Sequence, residues 1–202
     1  MHTQVPRYII VAVHHNRVKA ESVFYMGGKG LIHFYYGDGK GKTTAALGLA
    51  IRASGSGSSV VVVQFLKDRK CGELSCLALL PNVVVLRADL YGHMFVFEMS
   101  DEEKAAIKAI HDGNLVKALE LQKNGQCDML VLDEAADAYQ LGVLDSALFE
   151  GLLNDKPEPL ELIVTGHAPD ARLLAQADYA TEMVKRKHPY DLGITARKGI
   201  EF

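Results

Sequence analysis

The stretch LIHFYYGDGKGKTTAALGLAIRA (31–53) decides the fold of this 202-residue chain. Its first part, LIHFYY (31–36), is a short apolar run bounded by glycines, which is typical of a buried β-strand. Its last part, TTAALGLAIRA (43–53), carries apolar residues at helical spacing. The glycine-rich segment GDGKGKTT (37–44) is therefore expected to join a strand to a helix.

GDGKGKTT in this position predicts a phosphate-binding loop. N–H groups at a helix N-terminus are unpaired and the helix dipole favours an anion there, while glycines let the backbone curve around phosphate oxygens. Lys42 is placed to reach the phosphates, and Thr43 to offer its hydroxyl to Mg²⁺. The pattern GxxxxGK[ST] is not fully met, because Tyr36 stands where the first glycine belongs and Gly37 comes one residue late. We therefore expect an altered loop, with a plain glycine-rich turn as the alternative.

The segment DMLVLDEAADAY (128–139) supplies the second part of a nucleotide site. Asp133 and Glu134 follow four apolar residues, at the end of a predicted buried strand. A carboxylate there can hold Mg²⁺ directly or through water. The alternative is a strand-to-helix turn in which an acidic residue caps the helix.

The rest of the chain alternates strands with helices. Apolar, often β-branched runs predict further strands at 60–65, 82–88, 128–133 and 160–166. Helical stretches are predicted at about 72–80, 100–123, 143–154 and 169–177. Ser100 and Glu103 predict a capping box at the start of the longest helix. Residues 112–114, with sequence DGN, predict a kink or break within the same helix. This order predicts a three-layer α/β fold with a mainly parallel sheet of five or six strands.

Composition excludes several classes of protein. The formal charge of −3 argues against a nucleic-acid coat or a binder of anionic membranes, since both need a basic surface. Three cysteines are too few for a disulfide scaffold and form no CxxC pair, and no apolar run approaches the ~18 residues of a membrane-spanning helix. We therefore expect a cytoplasmic protein that binds neither nucleic acid nor membrane.

The first 25 residues differ from the rest. They hold three basic residues and one acidic residue, and YIIVAV (8–13) is too short for a signal-peptide core. Residues 1–25 are expected to be an extension outside the core, with an extra strand as the alternative. Residues 26–202 are then expected to form a single domain that binds ATP and catalyses the reaction.

The sequence from about Lys29 to Phe202 resembles the ATP-dependent corrinoid adenosyltransferases of the cobalamin-salvage type. The resemblance rests on GDGKGKTTAALGLAIRA (37–53), VVQFLK (62–67), VLDEAADAYQLGVLD (131–145) and TGHAPDARLLAQADYATEMVKRKHPYDLGITARKGIEF (165–202). It implies a phosphate-loop fold of the RecA-type branch. It also implies that the 5′-deoxyadenosyl group of ATP passes to the Co(I) centre of cobalamin or another corrinoid, with release of triphosphate.

The resemblance also implies roles for particular residues. Catalytic roles fall on Lys42, Thr43 and Glu134, and Mg²⁺ would be held by Thr43 and Glu134, with Asp133 behind them. ATP would be bound by Gly37, Asp38, Gly39, Lys40, Gly41, Lys42, Thr43, Thr44 and His167. Phe95 and Phe97 would lie beneath the corrin ring.

This sequence departs from the family at two of these positions. Phe97 stands where Trp is common in the family, and His167 stands where Arg is common. The alternative for Phe95 and Phe97 is that they share one face of a strand and pack into the core. The alternative for His167 is a structural role in its loop. The resemblance further implies a homodimer and a reduced flavoprotein as electron donor.

Two other classes of function stay open at the sequence level. One is another phosphate-loop ATPase or small-molecule kinase, although no water-positioning or acceptor residue is evident. The other is a carrier that binds a corrinoid and ATP without turnover. No Ser-His-Asp set or HExxH motif is visible, which suits a reaction whose nucleophile is the substrate's metal.

Overall fold

The computed structural model describes residues 8–11, 28–67, 71–88 and 96–202. The strands within these ranges are β1 (Tyr8–Val11), β2 (Ile32–Tyr36), β3 (Val60–Gln64), β4 (Val83–Ala88), β5 (Met129–Asp133), β6 (Glu161–Gly166) and β7 (Tyr179–Glu182). The α-helices are α1 (Lys42–Gly55), α2 (Gly72–Leu77), α3 (Asp101–Lys123), α4 (Ala135–Gln140), α5 (Ser146–Asn154) and α6 (Ala171–Leu174). Two 3₁₀ turns cover Val96–Glu98 and Pro189–Leu192.

The seven strands form one sheet in the order β1-β4-β3-β5-β6-β2-β7. Strands β2 to β7 run parallel to their neighbours, and β1 pairs antiparallel with β4 at the edge. The mainly parallel α/β fold is thus confirmed. Strand β6 lies between β2, which precedes the glycine-rich loop, and β5, which ends in Asp133.

The sheet has seven strands where five or six were expected, and the difference lies in the two edge strands, β1 and β7. Strand β7, with sequence YATE, is exposed at all four positions and lacks the apolar run that reveals a buried strand. Residues 8–11 form β1, as the extra-strand alternative held. The assignment of residues 1–25 to an extension outside the core stays a prediction.

Helices cover both faces of the sheet, which makes three layers. On one face α1 and α2 pack against alternate strand residues such as Val60 and Val62. On the other face α3, α4 and α5 pack against the intervening residues, such as Val61 and Val63. Strands β3 and β5 are buried at every position, which explains why they are apolar up to their last residues, Gln64 and Asp133.

Helix α3 begins as predicted but does not break. Ser100 accepts a hydrogen bond from the backbone of Glu103, whose side chain accepts one from the backbone of Ser100, which confirms the capping box. The predicted kink or break at residues 112–114 is wrong, because the helix is continuous through them. A glycine inside a helix costs only about 1 kcal/mol, and the burial of Ile107 and Leu115 in the core outweighs that cost. Among the described residues, no helix has the length and apolarity needed to cross a membrane.

Candidate functional site

The candidate site lies at the carboxyl edge of the sheet, where β2, β5 and β6 end side by side. Ligands of parallel α/β sheets bind outside this edge, because the strands deliver their following loops to the same place. β2 leads into the glycine-rich loop, β5 ends in Asp133, and β6 carries Thr165 at its penultimate position. The predicted loop and the predicted acidic pair therefore meet, although about 90 residues separate them in sequence.

Three glycines of the loop have conformations or neighbours that exclude a side chain. Gly37 and Gly41 have φ of 109° and 118°, in the left-handed region that favours glycine. Gly39 donates a hydrogen bond of 2.7 Å to the carbonyl of Met183, and a Cβ on Gly39 would lie 2.6 Å from that oxygen. The loop is thus curled tightly beside the segment that follows β7.

Helix α1 begins at Lys42 with N–H groups that no described side chain caps, since its N-cap is Gly41. Such a terminus favours an anion. The Lys42 Nζ donates to the carbonyls of Gly37 and Gly39 at 2.6 and 2.9 Å. Burial lowers the pKa of Lys42, although the carboxylate of Asp137 opposes that shift. The ammonium group therefore lies inside the loop, where phosphate oxygens are expected.

Asp133 is fully buried and joins the loop to two neighbouring strands. Its Oδ1 accepts hydrogen bonds from Thr43 Oγ1 at 2.9 Å and from Thr165 Oγ1 at 2.8 Å. Its Oδ2 accepts a longer bond of 3.4 Å from Gln64. These contacts fix the hydroxyl of Thr43 at the acidic end of β5.

Glu134 follows Asp133 in the left-handed region, with φ of 62°, and precedes the first residue of α4. A left-handed conformation costs a residue other than glycine roughly 1–2 kcal/mol, and such strain concentrates at functional sites. The Glu134 N–H donates to Thr165 Oγ1 at 2.8 Å, which stabilises the turn. Burial raises the pKa of Glu134, while Lys67 acts in the opposite direction.

Lys67 is the cationic partner of this acidic pair. Its Nζ forms a very short ion pair with Glu134 and lies 3.7 Å from Asp133 Oδ2. Burial lowers the pKa of Lys67, but the charges of Asp133 and Glu134 outweigh burial and raise it above the ordinary value. The side chain is about one-fifth exposed, so the charges attract each other with little screening by water.

The backbone that carries Lys67 is anchored on both sides. The carbonyl of Lys67 accepts a hydrogen bond of 3.1 Å from Arg87, whose guanidinium also donates to Gln64 Oε1 at 3.2 Å. Leu66 has φ of 55°, and its N–H donates to Nε2 of His111 at 3.3 Å. The other ring nitrogen of His111 lies 2.8 Å from the carbonyl of Val143, so it carries the proton and the ring is neutral.

His167 lies beside the loop, as the alternative of a structural role expects. Its carbonyl accepts a hydrogen bond of 2.8 Å from the N–H of Gly37, and its N–H donates to the carboxylate of Asp137. Its ring also contacts Asp137 at 3.2 Å, and this hydrogen bond raises the pKa of His167. The ring is 63% exposed, so it is open to a ligand, and its contact with ATP stays a prediction.

The C-terminal segment contacts two polar residues of the loop, Lys40 and Asp38. Lys40 forms an ion pair of 2.8 Å with Glu201, close to the end of the chain. Asp38 accepts a hydrogen bond of 2.8 Å from the N–H of Lys185, which lowers the pKa of that carboxyl. Thr44, the last residue predicted to bind ATP, is exposed in the first turn of α1. All eight loop positions thus lie at the same end of β2.

The predicted corrin contacts are only partly described. Phe97 belongs to the 3₁₀ turn Val96–Glu98 and is 73% exposed. The alternative that Phe97 packs into the core from a strand is therefore wrong. Phe95 lies outside the described residues. An exposed aromatic side chain is compatible with a binding surface, and the corrin role of both residues stays a prediction.

Sequence reasoning missed Lys67, Thr165 and Asp137 as parts of the site. Lys67 ends the motif VVQFLK (62–67), but a lysine after a strand is usually solvated. The neighbouring residues do not indicate which carboxylates it contacts. Thr165 had a usable signal, since it is a hydroxyl residue that directly follows the buried apolar residues Leu162, Ile163 and Val164 near the end of β6. In the described ranges, no group of three or more His, Cys, Asp or Glu residues could hold a metal ion by itself.

Residues 28–202 match the model of a family described as ATP:corrinoid adenosyltransferase BtuR/CobO/CobP. The chain belongs to this family. The corrinoid adenosyltransferases of Pseudomonas aeruginosa and Escherichia coli K12 are each 31% identical over 175 residues, which cover 86% of this chain and 84% and 86% of theirs. Corrinoid adenosyltransferase CobA of Salmonella typhimurium is 33% identical over 189 residues, 93% of each chain. Among solved structures, the Aeropyrum pernix ORC2 protein aligns with 79% of this chain and 43% of its own at 16% identity and a TM-score of 0.38.

Proposed function

We propose that this corrinoid adenosyltransferase transfers the 5′-deoxyadenosyl group of ATP to the Co(I) centre of a corrinoid. The observation that carries the proposal is the glycine-rich loop closed on the acidic end of β5 in a chain of this family. The Lys42 ammonium lies inside the loop, and the neighbouring Thr43 is hydrogen-bonded to Asp133. The positive charge and the curved backbone of this loop suit a triphosphate.

The reaction is an alkyl transfer. Co(I) donates an electron pair to the 5′ carbon of the ribose, and a carbon–cobalt bond forms. The bond from that carbon to the triphosphate oxygen breaks, and the oxygen leaves with its electron pair. Cobalt ends as Co(III), and no proton moves. No general base is therefore needed. The groups of the loop itself, the Lys42 ammonium and the Thr43 hydroxyl, suit a leaving triphosphate.

The residues of the loop act on the leaving group. The unpaired N–H groups at the start of α1 and the ammonium of Lys42 offset the charge that develops on triphosphate. The curled backbone around Gly39 holds the phosphates in one place and so aligns the ribose with cobalt. Binding energy from the phosphates thereby lowers the barrier at a carbon several bonds away.

We also propose that Mg²⁺ accompanies the triphosphate. Mg²⁺ favours oxygen ligands and is held by one or two protein groups together with substrate phosphates. The hydroxyl of Thr43 and the carboxylate of Glu134 provide such groups, and Asp133 orients the hydroxyl through a bond of 2.9 Å. When bound there, Mg²⁺ would neutralise negative charge on the triphosphate.

Phe97 and Phe95 are our proposed contacts to the lower face of the corrin ring. Aromatic side chains there would exclude the lower axial ligand of cobalt and so favour Co(I). Phe97 is exposed in a turn that precedes α3, where a planar ligand could stack on it. The Phe97→Ala variant is expected to raise the KM for the corrinoid and leave the KM for ATP unchanged.

The function is tested by mixing the protein with ATP, Mg²⁺ and chemically reduced cobalamin. The expected result is a light-sensitive alkylcobalt spectrum together with one triphosphate per adenosylcobalamin formed. Lys42→Met should lower kcat/KM by about 10²–10³-fold, as the loss of a group that stabilises transition-state charge does. Lys117→Met, on the exposed side of α3, is the matched control and should retain full activity.

Two results would contradict this function. ADP and phosphate as products would identify an ATPase or a kinase. Binding of ATP and corrinoid with no spectral change in the presence of reductant would identify a carrier.

The remaining proposals concern the setting of the enzyme. We propose a homodimer in the cytoplasm that receives electrons from a reduced flavoprotein, since Co(I) must be generated before it can react. Analytical ultracentrifugation tests the dimer. A reconstituted assay in which a reduced flavoprotein replaces the chemical reductant tests the donor.

A further inference from the structure

The proposed chemistry assigns no role to Lys67, although this residue lies in the site. Its ammonium pairs with Glu134 and lies 3.7 Å from Asp133, so it occupies the place of a cation between the two carboxylates. Two ionised carboxylates on adjacent residues repel each other, and they need a positive charge nearby to stay ionised where little water reaches.

The position of Lys67 is built into the fold. Leu66 adopts the left-handed region, and the buried ring of His111 accepts its N–H. The buried guanidinium of Arg87 donates to the carbonyl of Lys67. These two anchors come from different elements, α3 and β4. A surface lysine that merely meets an acidic neighbour would have no such support.

We propose that Lys67 is a positioning residue that acts as an internal counter-cation of the metal site. It holds Glu134 in place in the nucleotide-free enzyme and excludes a divalent cation from Glu134 until ATP brings one. The inference rests on the proposed function, because it assigns Glu134 to Mg²⁺. It adds a binding order that the proposed function does not contain: the divalent cation binds at Glu134 together with ATP and not before it.

Charge arithmetic supports this order. One ammonium faces two carboxylates, and a divalent cation that entered beside it with no triphosphate would meet a like charge at short range. Triphosphate brings negative charge of its own, so the same site can then hold both the divalent cation and the ammonium.

The test measures binding of Mn²⁺, as a substitute for Mg²⁺, to the full chain without corrinoid. Electron paramagnetic resonance of free Mn²⁺ gives the affinity at pH 8, with and without ATP. Wild-type protein should bind Mn²⁺ weakly without ATP and more tightly with it. Lys67→Met should bind Mn²⁺ at least tenfold more tightly than wild type without ATP. Lys67→Arg, which keeps the charge, and Lys117→Met should both match wild type.

Equal or weaker binding of Mn²⁺ by folded Lys67→Met would overturn the proposal. Thermal unfolding followed by circular dichroism shows whether the variant is folded. A second measurement uses the unmutated protein: the ¹⁵N resonance of the Lys67 ammonium, assigned with Lys67→Arg, should shift when Mg²⁺ and ATP are added together. A shift of the same size with Mg²⁺ alone would also overturn the proposal. Adenosylcobalamin formation is measured separately, so failure of the proposed function is seen independently.

Discussion

At Thr165, one hydroxyl group connects the ends of two strands to the phosphate loop. It donates to Asp133 and accepts the N–H of Glu134, while Asp133 in turn accepts the hydroxyl of Thr43. Thr165 is 1% exposed, so water cannot replace a lost partner. The orientation of the Asp133 carboxylate and of the Glu134 backbone thus depends on a residue that itself bears no charge.

Thr165→Val should therefore destabilise the protein although it keeps the shape of the side chain. The change leaves the N–H of Glu134 without its acceptor and Asp133 without one donor, which costs about 1–3 kcal/mol of the free energy of unfolding. Urea denaturation measures the change. Thr181→Val, on the exposed strand β7, is the matched control and should stay within about 0.5 kcal/mol of wild type. Equal effects of the two changes would contradict this account.

Among the elements, the phosphate loop is shaped as much by its neighbour as by its own sequence. The segment after β7 runs directly beside it, with the carbonyl of Met183 hydrogen-bonded to Gly39 and the N–H of Met183 to the carbonyl of Tyr36. These backbone hydrogen bonds hold the loop in a curved form. Preorganisation of this kind reduces the cost of binding a phosphate chain.

Gly39→Ala should weaken ATP binding and lower stability, because its Cβ would lie 2.6 Å from the oxygen and 2.8 Å from the carbon of the Met183 carbonyl. Overpacking of this kind costs about 1–3 kcal/mol. Calorimetric titration with ATP and thermal unfolding measure the two effects. Gly48→Ala is the matched control, since Gly48 lies within α1 with nothing near its added Cβ, and should stabilise the protein by about 0.5–1 kcal/mol. Unimpaired ATP binding by Gly39→Ala would show that the loop can move away from Met183.

For the whole molecule, the buried ring of His111 links the helical layer to the site at the edge of the sheet. It contacts Val143 after α4, Leu66 after β3 and the ring of Phe65, whose centroid lies 5.2 Å away. Burial lowers the pKa of His111 below its ordinary value of 6.5. The folded protein therefore keeps this ring neutral at a pH where the unfolded chain binds a proton.

Stability should consequently fall as the pH drops below about 6.5 and be fully present above it, because the unfolded chain takes up the proton first. One such group contributes at most about 1.4 kcal/mol per pH unit. His111→Gln should flatten the difference between pH 7 and pH 5, although it lowers stability at every pH. Urea denaturation between pH 5 and pH 7 compares the variant with wild type. Both proteins contain all the other titrating groups, so a difference in slope is due to residue 111. An unchanged slope in His111→Gln would assign the acid sensitivity to those other groups.

The sequence by itself determined the alternation of the buried strands with the longer helices, the mainly parallel sheet, the glycine-rich turn between a strand and a helix, and the acidic end of β5. These features depend on local patterns, because an apolar strand, a glycine-rich turn and an amphipathic helix are each recognisable within a few residues. The resemblance to the adenosyltransferases rests on the same local motifs. The family match over residues 28–202 confirms that resemblance.

Only the tertiary structure decided which side chains complete the site. The Asp38 carboxylate accepts the backbone N–H of Lys185 across 147 residues, and the Lys67 side chain reaches Glu134 across 67. Strand β7 is recognisable only by its pairing with β2, since its own residues are exposed. The continuity of α3 through Gly113 depends on its packing against the sheet. A contact between distant elements does not change the hydrophobic periodicity of either segment, so the sequence does not reveal it. Only the fold, which places the two partners side by side, shows such a contact.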